Sequence, residues 1–276
     1  MLKFVSYPHM KSLFFLLLLQ ASLLYGQSFT EGDSIPLVAD TFLGVDGYKN
    51  LYFTKDMVLH KTGADGDYNF NDFQLGEITS VDLINPLNIV VFYEMTNTVV
   101  LLDNRLNEIE RINFNSVPEF TNVGAANNAG NNRLWLFNID TQQLELFNYR
   151  TQRKTIVSQP FPGQLLGLAS NFNYCFLLTE RKLRSFNVYG SLLKELPNDT
   201  YTHVFQQDEK VFVLKGNKLF HIPDMAEEKE DSVTIQPFEL PIKENQAFDL
   251  YLTQEILYLY DGTKLRTFTR NQPKKE

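Results

Sequence analysis

Residues 255–270 read EILYLYDGTKLRTFTR: an apolar run, an Asp–Gly turn, then a run alternating apolar with polar. That is the pattern of a β-hairpin. Close variants stand at KVFVLKGNKLFHIP, YCFLLTERKLRSFN and RLWLFNIDTQQLELFN, and shorter ones follow NIVVFYE and NLYFT. The first apolar residue after each turn forms a column: Val58, Val99, Leu144, Leu183, Leu219 and Leu265, at intervals of 36 to 46 residues. Three positions later stand Leu102, Phe147, Phe186, Ile222 and Phe268, with Lys61 as the exception in the first repeat. A weaker apolar segment precedes each hairpin (FLGVD, ITSVDL, NVGAAN, LLGLAS, THVFQQ, AFDLYL). A further extended segment follows most of them, as in EIERINF, RKTIVSQ, SLLKEL and DSVTIQPF. Each unit therefore holds four strands, and outside the N-terminal segment no run keeps a helical period.

Four-stranded units repeating at roughly 40 residues resemble the blades of a β-propeller. The fold class read from the pattern is all-β: six four-stranded antiparallel blades at about 42–75, 77–116, 119–160, 163–198, 202–240 and 246–270. The sixth unit lacks a fourth strand, and SIPLVAD at 34–40 is one extended segment to spare. Placed at the outer edge of the last blade it closes the ring, and Pro36 is tolerated on such an edge. In blade count the chain is similar to NHL-like and lactonase-like propellers. It carries neither the recurrent Trp–Asp signature of WD40 repeats nor recurrent tryptophan docking motifs, having the single Trp135.

The first 26 residues stand outside this repeat. Lys3 and Lys11 precede SLFFLLLLQASLLYG, and Gly26 precedes Gln27, the pattern of a secretory signal peptide with Met1 or Met10 as initiator. The apolar run is interrupted by Gln20 and Ser22, short of the ~20 residues a membrane span needs. The segment resembles those of proteins exported by Bacteroidetes-type bacteria. The expectation is a single domain at 27–276, exported to the periplasm or cell surface of a Gram-negative bacterium. Removing Lys3 and Lys11 from 25 basic residues leaves 23 against 33 acids, a net charge of −10. A surface of that sign repels phosphate backbones, so nucleic acid is not an expected partner. Cys175, the one cysteine, sits within YCFLL and reads as a buried apolar residue. His60, His203 and His221 fall on strands of separate repeats, and no G-x-S-x-G occurs.

Three groups of residues are candidates for binding. Asp46, Asp82 and Asn127 recur near the ends of the first strands of blades one to three, where they would ring the mouth of a central channel. The same residues would equally cap turns through side-chain to backbone bonds. Resemblance to lactonase-like propellers implies a divalent ion held there by Glu, Asn and Asp, whereas blades four and five offer Ser170 and Gln206. NNAGNN at 127–132, with Asn127, Asn128, Asn131 and Asn132, reads as a loop joining the first two strands of blade three, either an ordinary turn or a contact for sugars or peptides. In DGDYNFND at 65–72, Asp65, Asp67, Asn69 and Asn71 alternate like the first ligands of a calcium loop, although Phe70 and Gly76 stand where that loop has Gly and Glu. The spacing also describes an outer strand with Tyr68 and Phe70 turned inward.

The functional expectation is a non-catalytic scaffold with no cofactor, binding an envelope or outer-membrane-associated protein. The alternatives are a metal-dependent lactonase-like hydrolase, with calcium among the candidate ions, and a glycan-binding protein.

Overall fold

The computed structural model describes residues 29–226, 237–242 and 246–270. The proposed signal peptide at 1–26 lies outside the described residues, as do positions 227–236, which hold most of the extended segment DSVTIQPF. All described regular structure is β. Six four-stranded antiparallel sheets succeed one another along the chain. Their inner strands are Thr41–Val45, Ser80–Asp82, Val123–Gly130, Leu165–Ser170, His203–Gln207 and Asp249–Leu252. They ring a central channel and do not pair with one another, so each presents an unpaired backbone edge to the axis.

A single blade has two apolar faces and covers neither. Accordingly the core is divided into six apolar clusters, one in each seam between neighbouring blades. Blades two and three meet through Val90, Phe92, Leu134, Leu136 and Phe147. Blades six and one meet through Phe42, Val45, Tyr258, Tyr260 and Leu265. Trp135 and Cys175 lie in the third–fourth seam, and burial raises the Cys175 thiol well above its ordinary value.

The ring closes through the N-terminal strand, which pairs antiparallel with Lys264–Arg270 as the fourth strand of the last sheet. The observed strand is Phe29–Pro36 rather than 34–40. Its register places Ile35 opposite Leu265 and Phe29 opposite Arg270. Polar FTEGDS serves because an outer edge strand needs backbone pairing more than an apolar face. Residues 37–40 instead form the link into blade one, where Leu37 is buried and the Tyr260 hydroxyl donates to the Ala39 carbonyl at 2.9 Å. Arg266 pairs with Glu31 at 2.7 Å across the closure.

Blade three also differs from the expected strand limits. Its inner strand runs on through Gly130, so Asn127 lies mid-strand opposite Trp135 and does not end the strand. The joining turn is only Asn131–Asn132, both at positive φ (51° and 58°), the geometry of a tight hairpin turn that asparagine tolerates.

Candidate functional site

The inner strands all end at one face of the ring, here the mouth. Asp82, the last residue of its strand, lies half-buried in a cavity of about 230 Å³ within the channel. Asn127, Ser170, Gln206 and Tyr251, from four other inner strands, share that cavity with Val81, Leu168 and Phe205. A second depression of about 390 Å³ adjoins it at the mouth, between Asn171–Asn173 and Gln206–Glu209. Ile84, Gln206 and Gln207 line both.

Asp82 is held by the backbone edges around it. Its Oδ1 accepts the Ile84 N–H at 3.0 Å, and its Oδ2 accepts the Asn128 N–H of the next blade at 2.7 Å. The same device recurs at the seam between the last and first blades, where Asp249 accepts the Phe42 N–H at 2.7 Å. In each case a carboxylate of one blade satisfies an inner-edge donor of the next, a donor with no strand partner. Desolvation dominates over these bonds at Asp82 and pushes its carboxyl up to about 6; Asp249 is raised for the same reason. Tyr251 is raised by burial, with the charges of Asp82 and Asp46 adding to it.

Ser170 and Gln206, which line this cavity, each carry a buried polar atom with no hydrogen-bond partner within the protein, Oγ and Oε1 respectively. Ser170 is only 4% exposed. Buried polar atoms are nearly always satisfied, so these two have bonding capacity that the protein itself does not fill. Tyr251 is seated by close approach: a Cβ at Gly44 would lie 2.4 Å from its ring, and Gly44 has φ +146°. Glycine at 44 is therefore what admits the tyrosine across the last seam.

The other candidates are placed differently. Asp46 is buried within its own blade, where it accepts from the Tyr48 and Asn50 N–H groups, the Asn50 amide and the Tyr52 hydroxyl. The Lys61 ammonium lies 3.9 Å from it and donates to the Asn104 carbonyl of blade two at 2.6 Å. Asn128 bridges blades, its amide donating to the Asn88 carbonyl at 3.0 Å while its oxygen accepts from the Gly130 N–H. Asn132 accepts the Tyr149 hydroxyl at 3.2 Å, and both turn asparagines are exposed. The DGDYNFND segment forms the outer strand Gly66–Phe70 of blade one. Asp67 and Asn69 face outward, Tyr68 and Phe70 are half-buried, and Asn71 lies exposed just beyond. Asp67 accepts from the Thr62 hydroxyl, and the Asp65 carbonyl accepts from Tyr68. Among the described residues no three His, Cys, Asp or Glu side chains gather where they could hold one metal ion. His60 stacks on Phe53 and His221 packs on Phe212, and burial drives His221 down to about 4.

The opposite face carries a different feature. On its loops in blades one to three, Val38, Met57, Phe73, Met95, Phe120 and Ile139 are exposed, Met95 to 79%. Asp40, Asp56, Glu77, Glu94, Glu119 and Asp140 are exposed among them, with Lys55 the one lysine of these loops. Nothing in hairpin periodicity announces this patch, because turn residues fall outside the repeat columns.

No family model matches the sequence, and no curated protein does. Solved structures do match in shape. A catalytically inactive virginiamycin B lyase from Staphylococcus aureus, solved with quinupristin, superposes with a TM-score of 0.61 at 10% identity, covering 86% of this chain and 99% of that one. A streptogramin B lyase gives 0.58 at 13% identity over 89% and 98%. The Pan2 WD40 domain of Neurospora crassa gives 0.55 at 12% identity over 85% and 76%. The chain is a six-bladed β-propeller. Likeness at these identities is a likeness of fold, and the same frame carries unrelated activities.

Proposed function

We propose that this propeller is a non-catalytic protein-interaction module, exported through its N-terminal segment and docked to a partner in the cell envelope. The observation that carries the reading is the exposed apolar set on one face of blades one to three. Scattered apolar side chains are normal, but six on the loops of three adjacent blades mark a contact surface. The six acids among them select a partner segment that is apolar and basic. A propeller suits the task because its loops stand on rigid sheets and little order is lost on docking.

The test is affinity capture on the purified protein from detergent-solubilised envelope. The expected result is one stoichiometric partner whose retention falls at least tenfold in a Phe73→Ser/Met95→Ser/Phe120→Ser variant. Tyr189→Ser, at the 90%-exposed tyrosine on the mouth face, leaves it unchanged. No stoichiometric partner, or one lost equally from both variants, overturns the proposal.

A further inference from the structure

The channel cavity lies on the opposite side of the ring from the apolar patch, and its chemistry differs. Its wall contributes a carboxylate (Asp82), an amide oxygen without a protein partner (Gln206 Oε1), a hydroxyl without one (Ser170 Oγ) and a phenol (Tyr251). Among the described residues no lysine or arginine lines it. Among the described residues none forms an ion pair with Asp82, whereas Asp46 of blade one has the Lys61 ammonium 3.9 Å away. Each Asp82 oxygen accepts one N–H, and a carboxylate has about four acceptor sites, so about two remain. A carboxylate so largely desolvated and without a cation is costly unless another charge joins it.

The remaining wall is apolar: Val81, Leu168, Ala169, Val204, Phe205 and Leu252. Drug-sized sites begin near 300 Å³, so about 230 Å³ fits a smaller molecule. Acidic residues stand at the approach, Asp208 and Glu209 lining the outer depression. We infer that the channel binds a small organic ammonium ion, its charged head between Asp82, Gln206 Oε1 and Ser170 Oγ and its short apolar tail against Leu168 and Phe205. The ammonium supplies three donors where the wall supplies three acceptors, and the tail occupies surface that a hydrated metal ion would leave unused. The tyrosine ring offers a further contact for positive charge.

The experiment is titration calorimetry of the purified protein at pH 7.5 with n-butylammonium chloride, n-butanol, calcium chloride and magnesium chloride in turn. Saturable binding of n-butylammonium is expected, with n-butanol at least tenfold weaker. Asp82→Asn should weaken n-butylammonium at least tenfold while circular dichroism stays unchanged. Gln206→Ala, in a strand-end side chain that makes no protein bond through Oε1, should weaken it about threefold and covers the case in which the Asp82 variant fails to fold. Equal binding of n-butanol, binding of calcium or magnesium alone, or no binding of n-butylammonium each overturns the inference, leaving respectively an apolar pocket, a metal site or a solvent-filled channel.

Discussion

Asp46 follows the inner strand of blade one and Asp82 ends that of blade two, and their surroundings have little in common. Asp46 is enclosed: four donors of its own blade converge on it and Lys61 lies 3.9 Å away. Asp82 has two backbone donors, one from the next blade, no ion-pair partner among the described residues, and a cavity in front of it. Both acids stand near the mouth end of an inner strand, and a lysine on the third strand of blade one sets them apart. Position 61 is apolar in the other five repeats; lysine there turns Asp46 into half of a buried joint and fastens blade one to the Asn104 carbonyl of blade two. The Lys61 ammonium also sits over the Tyr52 and Tyr68 rings, 5.7 and 5.8 Å from their centroids. Without such a lysine, Asp82 is left to the channel. An acid near the end of an inner strand is thus a structural part or an accessible group according to the cation beside it.

The comparison presumes a closed ring, and removing the closure has the largest expected effect. Deleting residues 29–36 exposes the outer edge of the last blade and the Tyr258–Leu265 cluster. The variant should be insoluble or less stable by more than ~4 kcal/mol in urea denaturation; an unchanged transition would mean the first strand is dispensable. Next comes the joint itself. Asp46→Asn keeps the shape but turns one acceptor into a donor facing the Asn50 amide or the Tyr52 hydroxyl and leaves Lys61 without its anion, at a cost of ~3 kcal/mol. The same change at Asp82 should cost under ~1 kcal/mol at pH 7, because relief of desolvation offsets the lost acceptor. Between these lies Gly44→Ala, which drives a methyl into the Tyr251 ring at a backbone angle that suits glycine, for ~2 kcal/mol measured by thermal melting.

In the native protein the smallest effect is the pH dependence of stability. Asp82, raised to about 6 when folded, favours the folded state when protonated; that contribution is full below its unfolded value of ~3.9 and is lost as pH rises through 6. Asp249 acts with the same sign. His221, lowered to about 4, contributes above its unfolded value of ~6.5 and loses that contribution as pH falls through 4, and His203 follows it in sign. The two slopes oppose each other between pH 4 and 6, so the native protein should be nearly level there. Asp82→Asn should make stability rise with pH across that window by of order 2 kcal/mol, and His221→Gln should make it fall, read from denaturation midpoints at stepped pH.

The architecture was legible because hairpins repeat: turn chemistry and period-two alternation are local, and six copies leave few alternatives to a ring. The closing strand was legible in kind and misplaced in register, since FTEGDS has no apolar alternation and SIPLVAD has more of it. Asn127–Gly130 read as a loop because asparagine and glycine favour turns, yet the inner strand continues through them, held by the Asn128 contacts to blade two. The placing of Asp82 at the channel was accessible from strand-end position alone. Its difference from Asp46 was not, because that depends on a lysine fifteen residues on whose ammonium crosses to another blade. The polar atoms of Ser170 and Gln206 likewise gain meaning only when strands from different blades share one wall.

One paired measurement bears on the contrast most directly: Asp46→Asn and Asp82→Asn, each taken through a thermal melt and a titration with n-butylammonium. The account predicts that the first lowers the melting temperature and, while folded, binds as the native protein does. The second melts within ~3 °C of native and loses binding at least tenfold. Matching behaviour in the two variants, or a destabilised Asp82 variant that still binds, would contradict it.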